Sequence, residues 1–94
     1  MTTLITAERR LMIQNELGLH ARAATKFVQT ASRFSSDVEV EKDGQSVNGK
    51  SIMGVLLLVA SKGTAIMVKA VGADSEACVE ALAALVNGKF GEDR

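Results

Sequence analysis

Gly18-Leu19-His20-Ala21-Arg22-Ala23-Ala24-Thr25-Lys26-Phe27-Val28 contains the only histidine of the 94-residue chain and opens its clearest helix. Ala24, Phe27, Val28 and Ala31 recur at i, i+3, i+4 and i+7, the apolar stripe of an amphipathic helix. Counting back from the stripe puts His20 at or just before the first turn, behind a glycine that allows a sharp turn. The first amides of a helix have no intrahelical partner and can hold an anion. An imidazole nitrogen there can carry a phosphoryl group whose oxygens meet free amides and the planar, permanently charged guanidinium of Arg22. Taken alone, this spacing leaves phosphate chemistry the minority reading, because a single histidine near a helix start is more often a surface residue or a cap.

Other chemistries have less support. His20 and Cys78 are separated by most of the chain and form no metal-ligand cluster, so no metal and no cofactor is expected. No P-loop, no paired carboxylates and no second histidine point to a self-contained catalytic pocket. Eleven basic and eleven acidic side chains balance, which gives no reason to expect a nucleic-acid or acidic-membrane partner. No apolar run is long enough to span a bilayer, and the N-terminus lacks a targeting pattern. The expectation is a cytoplasmic, monomeric protein forming one small domain over residues 1–94, its core built from Leu, Val, Ile, Ala and Met.

Along the chain, Met1 to about Arg9 reads as a frayed lead-in. Arg10 to Gln14 reads as the first strand, with Leu11 and Ile13 on one face. The helix after His20 runs from Ala21 to about Arg33. Val38 and Val40 alternate with Asp37, Glu39 and Glu41 in a half-buried second strand. Asp43-Gly44 is a strong hairpin signal returning through Gln45 to Val47. Ser51 can cap a short helix ending near Leu57 or Val59, since Gly54 weakens it. Thr64 to Val71 forms a fourth strand with Ile66, Val68 and Ala70 inward. Asp74 caps a last helix to about Val86, with Val79, Leu82, Leu85 and Val86 as its stripe. Asn87-Gly88 stops it and leaves a loose charged tail. The order βαββαβα makes an α+β fold in which helices cover one face of an antiparallel sheet.

Gly18-Leu19-His20-Ala21-Arg22 followed by Ala24, with Asn48-x-Lys50-Ser51-Ile52-Met53-Gly54-Val55 downstream, resembles the histidine-containing phosphocarrier family, HPr and its nitrogen-branch relatives. The resemblance covers about Arg10 to Leu85 and specifies a four-stranded sheet of order 1-4-2-3. It implies a phosphocarrier of the phosphoenolpyruvate-dependent phosphotransferase system, a phosphoryl relay rather than a stand-alone enzyme. His20 stands at the position that accepts phosphoryl from enzyme I and passes it to an enzyme IIA-type acceptor, and Arg22 stands at the matching arginine. Ser51 stands at the serine that a dedicated kinase phosphorylates in some members and a phosphorylase relieves.

Ile52, Met53 and Leu56 share a helix face and match a family docking patch, although an apolar segment is more often simply core. Lys26 and Lys50 beside Arg22 would complement acidic partner surfaces. Ala23 replaces the family's proline, an exchange that helix initiation survives because alanine is a good helix former. Leu57-Leu58-Val59 replaces a stretch with serine and glycine in sugar-branch proteins and is closer to nitrogen-regulatory relatives. The alternative function is a noncatalytic regulatory binding protein whose phosphorylation state selects its partners.

Overall fold

Apolar alternation in the strands and the single stripe of each helix give the chain one way to hide both, a sheet with helices on one face. The computed structural model describes residues 5–94. Strands β1 (Thr6–Met12), β2 (Asp37–Lys42), β3 (Gln45–Asn48) and β4 (Ala65–Val71) form an antiparallel sheet in the order β1-β4-β2-β3. Helices α1 (Ala21–Ala31), α2 (Ile52–Leu57) and α3 (Ser75–Asn87), with a short 3-10 turn at Lys89–Gly91, complete the βαββαβα order.

Inward residues of the central strands are fully enclosed: Val40, Ile66, Val68 and Ala70 are at most 1% exposed. Phe27 from α1, with Cys78, Val79, Leu82 and Val86 from α3, closes the core over them. Each of these larger side chains contributes about 1.5–3 kcal/mol on burial. Burial raises the Cys78 thiol above its ordinary pKa, as suits a small apolar core residue. The opposite sheet face carries aligned polar rows, Glu8–Lys69–Glu39–Asn48 among them, and remains solvated.

The first strand begins at Thr6, not Arg10, and ends at Met12. Seven residues pair in register with β4, from Thr6 opposite Val71 to Met12 opposite Ala65. Thr6, Glu8 and Arg10 face solvent, while inward Ala7 is too small to signal a buried face. Arg9 pairs with Glu80 of α3 and ties this edge strand to the helix layer. Residues 1–4 of the expected lead-in lie outside the described residues.

Helix α1 stops two residues before the expected end. The amides of Arg33 and Phe34 bond the carbonyls of Thr30 and Ala31, so the bonding tightens to three-residue spacing after Ala31. Asp74 occupies the N-cap of α3, but its carboxylate does not cap that helix. It accepts from the amides of Ser35 and Ser36 at 2.8 and 2.9 Å and from both serine hydroxyls, stapling the start of α3 to the turn before β2. The tail is not loose. Phe90 is completely buried, Lys26 donates to the Phe90 carbonyl at 2.7 Å, and Lys89 and Phe90 take left-handed φ angles of 56° and 55° that fold the chain back. An aromatic side chain with about 1.5–3 kcal/mol of burial energy outweighs the solubility of its charged neighbours.

Candidate functional site

Gly18 fixes where α1 begins. Its φ is +65°, and a Cβ there would lie 2.5 Å from the Ala60 carbonyl oxygen and 2.9 Å from Ser61 Cα. The Leu19 amide donates to that Ala60 carbonyl at 2.9 Å, joining the loop before α1 to the segment after α2. The turn delivers His20 to the N-cap of α1 in an extended conformation, with its carbonyl accepting from Ala24 at 2.8 Å. Ahead of that bond the amides of Ala21, Arg22 and Ala23 are the orphan donors of the helix end.

The imidazole is half-buried and held from the far end of the chain. Its Nε2 donates to Glu92 Oε2 at 2.5 Å, while Asn15 Nδ2 donates to Glu92 Oε1 at 2.9 Å and to the Gly18 carbonyl at 2.8 Å. Burial pushes the Glu92 carboxyl up, but the bonds from Asn15 and His20 and the charges of His20 and Arg22 outweigh it and hold the group below its ordinary pKa. An ionised carboxylate only accepts, so the proton between them sits on Nε2. In the neutral ring the free lone pair is then on Nδ1.

Arg22 is exposed and lines a cavity of about 340 Å³ with Glu16, Leu17, Glu92, Asp93 and Arg94. The Glu16 amide donates to the Arg94 carbonyl at 3.0 Å, so the tail forms one wall of this cavity. Anionic oxygens on His20 would meet the helix-end amides and a five-donor guanidinium. Among the described residues no group of three His, Cys, Asp or Glu side chains is placed to hold a metal ion.

Ser51 caps α2, its hydroxyl accepting from the Gly54 amide at 3.0 Å. Ile52 and Met53 are exposed, Met53 by 71%, and Leu56 is half-buried. The two lysines are differently engaged from a free basic rim. Lys26 bonds the Phe90 carbonyl and Lys50 bonds the Phe34 carbonyl at 2.8 Å. Sequence reasoning missed Asn15 and Glu92. The available signal was Gly88-Lys89-Phe90-Gly91, an aromatic residue between glycines just beyond a helix stop.

A histidine at a helix N-terminus, an arginine two positions on and a carboxylate on the ring's Nε2 make a site suited to carry a phosphoryl group, and the similarities below define the class as small phosphoryl-carrier proteins. The family described as "PTS HPr component phosphorylation site" matches residues 7–88, and the chain belongs to the HPr family. It is 53% identical over 85 residues to the phosphocarrier protein HPr of Neisseria meningitidis serogroup A, covering 90% of this chain and 96% of that one. It is 47% identical over 79 residues to the HPr-like protein Crh of Bacillus subtilis, covering 84% and 93%. The crystal structure of HPr from Thermoanaerobacter tengcongensis superposes with a TM-score of 0.90 at 49% identity, covering 94% of this chain and 99% of that one. These similarities support a phosphocarrier role in the phosphotransferase system, a relay of phosphoryl groups rather than catalysis on a bound substrate.

Proposed function

We propose that His20 accepts a phosphoryl group from enzyme I, charged by phosphoenolpyruvate, and passes it to an enzyme IIA-type acceptor. The observation that carries this reading is the Glu92 bond to Nε2, which directs the nucleophilic lone pair to Nδ1. In the step, a bond forms between Nδ1 and phosphorus as the donor's phosphorus–nitrogen bond breaks. The transferred oxygens rest against the α1 amides and Arg22, while Glu92 stays paired with the Nε2 proton and balances the ring's developing charge. Ile52, Met53 and Leu56 supply an adaptable apolar contact for successive partners, which exchange one surface in turn. Ser51, at its edge, is a regulatory phosphorylation site. The relay works in the cytoplasm; among the described residues no helix is long and apolar enough to cross a membrane.

His20→Ala tests the assignment. Incubation with enzyme I and phosphoenolpyruvate should give an acid-labile label on the wild type and none on the variant, with matching far-ultraviolet spectra. Label of normal intensity on the variant would refute it. A second reading, a regulatory protein whose phosphorylation state selects partners, draws on the 47% identity to Crh. Onward transfer to enzyme IIA-type acceptors separates the two, because only a relay loses its label to them.

A further inference from the structure

Asn15 lies in the loop between β1 and α1 and is 0% exposed. Its amide nitrogen serves two acceptors, the Gly18 carbonyl at 2.8 Å and Glu92 Oε1 at 2.9 Å. The Gly18 amide returns a bond to the Asn15 carbonyl at 3.2 Å, so side chain and backbone together close the turn that delivers His20. The amide oxygen, by contrast, is buried with no partner among the described residues. An unpartnered buried acceptor is costly and persists where the rest of the group does something that a cheaper side chain does not. Serine and threonine carry one donor and ionised aspartate none. In a side chain this short, the amide alone bonds both acceptors at once.

Those two acceptors are the two controls on the histidine. The Gly18 carbonyl belongs to the turn that sets where the ring starts, and Glu92 carries the oxygen that receives the Nε2 proton. A carboxylate held at one oxygen can rotate about its own bond. Held at both, it presents Oε2 to the ring in one direction. Burial pushes the Glu92 carboxyl up, and the bond from Asn15 is first among the influences that draw it below its ordinary pKa, ahead of the bond from His20 and the charges of His20 and Arg22. Glu16, Asp93 and Arg94 are the other charged groups around it, lining the same cavity.

We propose that Asn15 is a positioning residue of the relay, fixing the Glu92 carboxylate and, through it, keeping the His20 lone pair on Nδ1. The inference rests on the relay reading above and extends it to a residue that touches neither phosphorus nor partner. Being wholly buried, Asn15 cannot contact enzyme I, so its loss must appear in the chemical step and not in binding. In that step the bond from Nδ1 to phosphorus forms as the donor's phosphorus–nitrogen bond breaks. The donor imidazole leaves with the electron pair of that bond, and the Nε2 proton stays on the His20 ring, paired with Glu92. Without Asn15 the carboxylate turns and the neutral ring samples the Nδ1–H form, whose Nδ1 has no lone pair to offer.

Asn15→Ala and Asn15→Asp test this, the second keeping the shape of the side chain while removing both N–H donors. Ring nitrogen resonances of the unphosphorylated protein need no partner. The wild type should show the single Nε2–H form and both variants a mixture with the Nδ1–H form. In steady-state transfer from phosphorylated enzyme I, kcat should fall about fivefold with KM kept within about twofold, a smaller loss than removing Glu92 itself. The Glu92 carboxyl carbon should titrate at higher pH in Asn15→Ala than in the wild type, so the variant's transfer fails sooner as the solution is acidified. A residue that only closes the Gly18 turn would lower the melting temperature and leave the ring and kcat at wild-type values, and that result overturns the proposal. A loss confined to KM overturns it as well. If Asn15→Ala does not fold, Asn15→Asp carries the ring and rate measurements. Enzyme I leaving the wild type unlabelled overturns the relay reading, whereas a folded variant whose ring keeps the single tautomer overturns the role of Asn15 alone.

Discussion

Glu92 reaches His20 across 72 positions of sequence and divides its two oxygens between the imidazole Nε2–H and the Asn15 side-chain amide. Both donors need an acceptor, and a carboxylate is the one side chain of this size with acceptors on both arms.

Glu92→Gln therefore replaces one acceptor with an amide that repels either Asn15 or the imidazole proton. Transfer from enzyme I should slow about tenfold or more, in the range seen when a histidine's orienting partner is lost. Rapid-quench rates measure the effect. Nitrogen resonances of the ring should show a mixture of tautomers in place of the single Nε2–H form.

Arg22→Lys retains a positive charge but loses the planar fork. Because Arg22 is exposed, the melting temperature should change by no more than about 1 °C, whereas transfer should slow about tenfold in both directions. Equal rates for wild type and variant would remove Arg22 from the relay.

Ser51→Ala removes the hydroxyl that caps α2 and should destabilise the protein by about 1 kcal/mol, with faster amide exchange at Gly54. Phosphorylation of Ser51 adds about 1.5–2 negative charges beside orphan amides that tolerate them. The amide resonances away from α2 should be unchanged, while phosphoryl transfer from enzyme I slows as acidic surfaces are repelled. Unchanged kinetics would leave Ser51 as a cap only.

Asp74 contributes to acid stability. The Ser36 hydroxyl first, then the Ser35 amide, draws its carboxyl down to about 2 from an ordinary 3.8. The folded value lies below the unfolded one, so the stabilisation is complete above about pH 4 and is lost as pH falls toward 2. Asp74→Asn should lower the melting temperature at pH 7 and flatten its decline between pH 4 and 2. Thermal unfolding across that window measures both.

Features set by neighbours in the chain were legible in sequence. His20 at the start of α1, Ser51 as a cap and the alternation of β2 and β4 each follow from spacings of a few residues. The sheet order came from family resemblance, since periodicity does not choose between strand neighbours. Asp74 is legible as the residue before α3, but its partners Ser35 and Ser36 lie 39 and 38 positions away, where local patterns are silent. The Glu92–His20 bond was hidden for the same reason. Charges at Lys89, Glu92, Asp93 and Arg94 suggested a solvated tail, and the single aromatic Phe90 decided otherwise. Thr6 to Arg9 was obscured because an edge strand with small or half-exposed inward residues does not alternate clearly.

The contact between Gly18 and the Ala60–Ser61 backbone leaves no room for a Cβ. The loop that delivers His20 and the turn after α2 are consequently mounted on one contact. A side chain at position 18 would displace both at once, so the placement of the imidazole and the end of α2 are a single setting of the backbone.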